Sequence, residues 1–135
     1  MSLFCDLVGK KIDAIWVMPG EQYLRIDASG ESFVYETEGD CCSETWFAEI
    51  IGVDALIGAT VTATEDLEVP VKEDGHTRQD SDEFYGQSIA TDRGRAQIVY
   101  RNSSNGYYGG SASLTSTTPP GDWRQITDDW TACAA

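Results

Sequence analysis

Alternating apolar and polar residues in the first part of the chain predict three β-strands joined by short turns. Residues 10–18, 22–28 and 32–37 each alternate with the period of two that is typical of a strand. The Pro19-Gly20 and Ser29-Gly30 pairs between them are typical turn residues. Short turns between successive strands predict an antiparallel meander.

The alternation predicts which residues share one face in three of the strands. We predict shared faces of Ile12, Ala14 and Trp16 in the first strand, Leu24, Ile26 and Ala28 in the second, and Ala96, Ile98 and Tyr100 in a later one.

A different pattern follows residue 40 and predicts a short helix. Ser43 is a favourable N-cap residue, and four large apolar residues follow it at i, i+1, i+4, i+5 spacing, which places them on one face of a helix. These four residues are Trp46, Phe47, Ile50 and Ile51. A second short helical turn is predicted at residues 53–57, before Gly58.

The second half of the chain returns to strand patterns. Residues 60–69 are rich in β-branched side chains and predict a fourth strand. Residues 73–83 are polar and acidic without an apolar period, so we predict a mobile surface loop. Residues 84–91 and 95–101 predict two strands, and residues 111–116 a last one.

Together these patterns predict an α+β fold, an antiparallel β-sheet of about six to seven strands with one short helical segment after the third strand. Residues 1–118 are predicted to form a single domain and residues 119–135 a C-terminal tail. Trp123, Ile126 and Trp130 recur in this tail every three to four residues. The tail either packs back on the domain as a short helix or docks on a neighbouring subunit.

Charge is the feature of composition that changes this picture most. The chain has 23 acidic and 9 basic residues, a net charge of −14. Such a surface repels phosphates, which excludes ordinary DNA or RNA binding. Two interpretations stay open: solubility, and mimicry of a polyanion. No apolar run approaches the roughly 20 residues of a membrane span, and the N-terminus has no signal-peptide pattern, so we expect a cytoplasmic protein away from membranes.

The cysteines and the single histidine indicate neither a metal site nor an enzyme. Cys5, Cys41, Cys42 and Cys133 contain no C-x-x-C spacing, and His76 lies in the predicted mobile loop. We therefore expect reduced thiols, no cofactor and no bound metal. A hydrolase that uses Cys41 or Cys42 at a helix N-terminus is an alternative, but it lacks an evident base.

Two dense polar-aromatic segments, residues 40–46 and 101–110, are the best candidates for a binding site. An arginine fork matches phosphate oxygens, glycines allow close backbone approach, and aromatic rings stack on a base. The alternative is a glycine-rich hairpin whose Asn and Ser side chains bond to their own backbone. The candidate ligand-binding residues are Arg101, Asn102, Ser103, Ser104, Asn105, Tyr107, Tyr108, Cys41, Cys42, Trp46 and Arg95.

The same segments carry a family resemblance. The order of Asp40-Cys41-Cys42-Ser43, Ile50-Ile51-Gly52, Leu56-Ile57-Gly58 and Ser104-Asn105-Gly106-Tyr107-Tyr108 resembles a domain of unknown function found in bacteriophages and bacteria. The resemblance covers about residues 7–115 and brings no established reaction. Small phage proteins of this size include sponges that sequester nucleotide signals of bacterial immunity, such as the cyclic ADP-ribose isomers of Thoeris systems; this is an analogy.

The leading hypothesis is therefore a non-enzymatic, phage-type anti-defence protein that sequesters a small (cyclic) nucleotide as a homo-oligomer. The first alternative is an acidic inhibitor that mimics nucleic acid and blocks a nuclease or immune effector. The cysteine hydrolase is the second alternative.

Overall fold

The computed structural model describes residues 3–39, 43–70, 79, 81–104 and 109–132. Ten strands run in chain order: β1 (Ile12–Val17), β2 (Tyr23–Ala28), β3 (Glu31–Gly39), β4 (Glu44–Ile51), β5 (Val61–Glu68), β6 (Ser81–Thr91), β7 (Gly94–Ser104), β8 (Gly110–Thr115), β9 (Arg124–Ile126) and β10 (Trp130–Thr131). Two 3-10 turns, Cys5–Leu7 and Val53–Ala55, are the helical elements within these ranges. None of the helical elements described is long and apolar enough to cross a membrane.

The strands form two antiparallel sheets of five strands each. The first sheet has the order β8-β3-β2-β1-β9 and the second β10-β4-β7-β6-β5. Apolar residues of both sheets belong to one buried cluster, so the two inner faces share a core. Its largest fully buried side chains are Phe4, Leu7, Ile12, Ile15, Leu24, Ile26, Tyr35, Phe47, Ile50, Leu56, Ile89 and Ile98.

The predicted α+β class is wrong, because the segment expected to be a helix is strand β4. A bulge between Phe47 and Glu49 inserts one extra residue into its pairing with β7. Phe47 and Ile50 therefore both enter the core although they are three residues apart. Trp46 and Ala48 pack on the opposite face with Ala132. A strand buried on both faces and interrupted by a bulge thus imitates helical spacing.

A second bulge corrects the face predicted for β1. The register with β2 shifts between Ile12 and Ala14, so Ile12, Ile15 and Val17 are the buried residues. Trp16 is half-buried instead, and its indole Nε1 donates to Asp27 Oδ2 over 3.0 Å. The faces predicted for β2 and β7 are confirmed.

The remaining strands agree with the sequence except at two places. The loop expected at residues 73–83 is wrong in its last part, because β6 begins at Ser81 and pairs with β7 along its whole length. The short C-terminal helix is also wrong. The tail instead adds β9 to β1 and β10 to β4, one edge strand for each sheet. Asp129 Oδ1 accepts hydrogen bonds from the backbone N–H groups of Gly52 and Val53, at 2.9 and 3.0 Å.

Candidate functional site

The strand ends that flank the two polar-aromatic segments meet at one end of the molecule. Gly39 at the end of β3 is paired with Gly110 of β8, and Glu44 at the start of β4 is paired with Ser103 of β7. Residues 40–42 and 105–108 lie outside the described residues. We call the four flanking residues, Gly39, Glu44, Ser103 and Gly110, the junction.

Buried polar side chains connect these strands behind the junction. Thr37 Oγ1 donates to the carbonyl oxygen of Thr45 at 2.8 Å, and Asn102 Nδ2 donates to Thr45 Oγ1 at 2.9 Å. Asn102 is fully buried, and its Oδ1 has no hydrogen-bond partner in the described part of the chain. Only glycine fits at position 110, because a Cβ there would overlap Thr45 Oγ1 and lie 2.9 Å from Asn102 Nδ2. The hydrogen bonds make this region a tightly packed framework.

Arg101, the residue predicted to bind phosphate, lies in an internal ion pair. Its guanidinium bonds to the carboxylate of Asp82, which also accepts a hydrogen bond from the Ser103 hydroxyl. The side chains of Arg101 and Asp82 are only 4% and 5% exposed. The guanidinium carbon also lies 5.4 Å from the ring centre of Trp46 and 4.4 Å from that of Phe84. A phosphate therefore has to displace Asp82, or be buried beside it as a second anion, to reach this cation.

The register explains why these groups meet. Arg101 is opposite Trp46 on β4 and opposite Phe84 on β6, so the cation lies in a row between two aromatic rings. Ser103 is opposite Asp82 in the adjacent position of the same face. Asp82 falls within the loop predicted at residues 73–83, so this pair was not predicted. Assigning residues 81–84 to a strand paired with β7 would have placed Asp82 opposite Ser103 and close to Arg101.

The surface at the junction is acidic. Glu38, Glu44, Glu68 and Glu83 are exposed residues near the end of β3, the start of β4, the end of β5 and the start of β6. The antiparallel order brings these four strand ends to the same end of the molecule, which we call the acidic end. Arg95, another predicted ligand residue, lies near the opposite end of β7, where it is exposed and 3.4 Å from Glu65.

A groove of about 720 Å³ lies beside the acidic end, between β5 and β6. Its lining residues are Asp66, Leu67, Glu68, Val69, Pro70, Phe84, Tyr85, Gly86, Gln87 and Tyr100. We call it the aromatic groove. The rings of Tyr85 and Tyr100 are stacked at 4.9 Å and 18°. The Gln87 side chain is held by its Nε2, which donates to Asp66 Oδ1 at 2.7 Å. Sequence reasoning missed this groove, which forms where Tyr85 and Gln87 of β6 lie opposite Glu68 and Asp66 of β5.

The two tyrosines of the groove remain protonated at neutral pH. Burial raises the pKa of Tyr100, and the negative charge of Asp66 raises it further. Burial also raises the pKa of Tyr85, as does its hydrogen bond to Glu83. Tyr85 links the groove to the junction, because its hydroxyl donates to Glu83 Oε2 at 2.5 Å and accepts from Gly110 N at 3.2 Å.

The structure brings together the flanks of both predicted segments but buries all five of their predicted ligand residues that it describes. Trp46, Arg101, Asn102, Ser103 and Ser104 are all buried. Cys41, Cys42, Asn105, Tyr107, Tyr108 and His76 lie outside the described residues. Among the residues that are described, there is no group of three or more His, Cys, Asp or Glu side chains placed to hold a metal ion.

Comparison with known proteins identifies one family. Residues 5–114 match the model of a domain of unknown function, DUF7448. Neither the curated proteins nor the solved structures contain a match. Because the match spans most of the chain, from the turn before β1 to near the end of β8, this protein belongs to the DUF7448 family.

Proposed function

We propose that this protein is a non-enzymatic inhibitor that binds a basic protein surface through its acidic end, in place of a nucleic acid. The observation that carries the proposal is the arrangement of charge at that end. Exposed carboxylates of four strands converge there, whereas Arg101 is neutralised by Asp82 inside the protein. This is the first alternative raised by the sequence.

Electrostatics favours a basic partner over an anionic ligand. A chain of net charge −14 attracts cations from a distance and repels phosphates, and a cluster of like charges strengthens this field locally. A basic nucleic-acid-binding surface is built to meet closely spaced negative charges. The acidic end presents its charges on the ends of paired strands, and such ordered positions lower the entropy cost of binding.

The internal bonding of the site supports a binding role rather than catalysis. The guanidinium of Arg101 is bonded to Asp82, and the amide of Asn102 is bonded to Thr45. These groups stabilise one another and hold the strand ends that carry the carboxylates. Among the described residues at this end, the exposed charged groups are carboxylates, which are acceptors for the donors of lysine and arginine.

Neutralising the acidic end is expected to weaken binding of a basic probe by about tenfold, because each exposed charge contributes a few tenths to about 1 kcal/mol. The variant is Glu38→Gln/Glu44→Gln/Glu83→Gln, and the probe is a fluorescein-labelled tetra-arginine peptide. Anisotropy titrations at about 50 mM and about 200 mM salt should give a steeper salt dependence for the wild type than for the variant.

A matched control variant distinguishes the effect of charge at the acidic end from the effect of the net charge of the protein. Asp13, Asp54 and Asp128 are exposed. Asp13→Asn/Asp54→Asn/Asp128→Asn removes the same charge away from the acidic end, and we expect it to weaken binding by less than about threefold. Equal losses in the two triple variants, or no wild-type binding at the lower salt concentration, would contradict the proposal.

Binding of a small nucleotide is the second candidate, and one observation favours it. The flanks of the two polar-aromatic segments meet around a pocket of about 240 Å³ lined by Glu38, Gly39, Gly109, Gly110 and Ser111. Three glycines there place no side chain between the backbone and a ligand. Cyclic dinucleotides and cyclic ADP-ribose at about 1 mM should raise the melting temperature if this candidate is correct. An unchanged melting temperature rules it out, and native mass spectrometry of the same sample reports the oligomeric state.

A further inference from the structure

We infer that the aromatic groove binds the guanidinium group of an arginine side chain presented by the partner. The inference rests on the proposed function and adds the chemistry of one subsite to it. The groove adjoins the acidic end through Glu68, so a chain bound at that end can place a side chain in it.

The lining of the groove matches a guanidinium in charge. Asp66 and Glu68 supply two carboxylates, and none of the ten lining residues that the structure describes is a lysine or arginine. Asp66 Oδ1 accepts a hydrogen bond from Gln87 Nε2, and this bond orients the carboxylate. A guanidinium carries five N–H donors in a planar fork, so it can bond to a carboxylate through two parallel hydrogen bonds.

The groove also matches a guanidinium in shape. Phe84, Tyr85 and Tyr100 contribute three aromatic residues to its lining. A planar cation stacks on such a ring while its edge bonds to carboxylates, whereas the compact ammonium of lysine cannot do both. The protein already contains this type of contact, since Arg101 lies between Trp46 and Phe84 while bonded to Asp82.

Close packing between the end of β5 and β6 fixes one side of the groove. A Cβ at Gly86 would overlap Val69 Cγ2 and lie 2.8 Å from the carbonyl oxygen of Leu67. The end of β5 therefore packs directly against the backbone of β6. Pro70 also lines the groove, and its ring fixes the backbone φ angle at that position. A preformed groove of this kind binds a side chain without a large ordering cost.

The test compares tetra-arginine with tetra-lysine peptides in anisotropy titrations at about 50 mM salt. We expect the wild type to bind tetra-arginine at least about threefold more tightly. Asp66→Asn/Glu68→Gln should weaken tetra-arginine binding by about tenfold and abolish the preference for arginine. Tyr100→Phe, which keeps the ring, should weaken it by about twofold to threefold.

The control variant is Asp13→Asn/Asp54→Asn, which removes two exposed carboxylates outside the groove. It should keep the arginine preference and lose less than about twofold in affinity. If arginine and lysine peptides bind the wild type equally, or both double variants lose the same affinity, the groove assignment is wrong while the charge-based function stands. If neither peptide binds, both proposals fail.

Discussion

Replacing Arg101 by methionine is expected to lower the free energy of unfolding by about 3–5 kcal/mol, because it leaves the buried carboxylate of Asp82 without its counter-charge. Methionine keeps much of the side-chain volume between Trp46 and Phe84, so the main loss is electrostatic. Urea unfolding at pH 7, followed by tryptophan fluorescence, measures the effect.

A double-mutant cycle identifies the cause of that loss. Asp82→Asn keeps a polar group opposite Ser103 but removes the charge, so Arg101→Met/Asp82→Asn leaves no unpaired buried charge at these positions. We expect the double variant to be less destabilised than the sum of the single variants by at least about 1 kcal/mol. Additive effects would show that the two charges do not stabilise each other.

The strength of this coupling also bears on function. A phosphate can bind Arg101 only by breaking its pair with Asp82 or by adding a second anion beside it. A strongly coupled pair therefore weighs against nucleotide binding at Arg101 and in favour of a framework that holds the acidic end. Weak coupling between Arg101 and Asp82 would make Arg101 a candidate ligand-binding residue again.

Replacing Ile50 by alanine is expected to cost about 2–5 kcal/mol, the usual range for a large apolar side chain removed from a core. Ile50 is fully buried, whereas its neighbour Ile51 is 42% exposed. Ile51→Ala should therefore cost less than about 1 kcal/mol. The same urea titration measures both variants.

These adjacent isoleucines test the bulge in β4. The helical spacing predicted from the sequence puts both residues on one buried face, so it predicts similar losses for the two variants. The strand puts only Ile50 into the core with Phe47. Similar losses for Ile50→Ala and Ile51→Ala would contradict the assignment of residues 44–51 to a strand.

The amino-acid sequence by itself determined most of the strands and the sign of the surface. Period-two alternation identified β2, β3, β7 and their turns, because in a strand each side chain alternates between core and solvent. The excess of acidic residues predicts that nucleic acid is not an ordinary partner. The same acidic excess predicts a basic protein as an alternative partner.

The fold class, the edge strands of the two sheets and the candidate functional site were decided only by the tertiary structure. The bulges in β1 and β4 exist because of their pairing with neighbouring strands, so local spacing misleads there. Strands β9 and β10 have three and two residues, too few for any periodic signal. Their hydrogen bonds to β1 and β4 alone define them.

The same reason applies to the candidate site. Arg101 meets Asp82 because of the register between β6 and β7, and Asp66 meets Gln87 because of the register between β5 and β6. Side-chain alternation is a property of neighbouring residues and can be read along the chain. Register is set by long-range pairing and core packing, so the charged pair and the aromatic groove exist only once the sheets have formed.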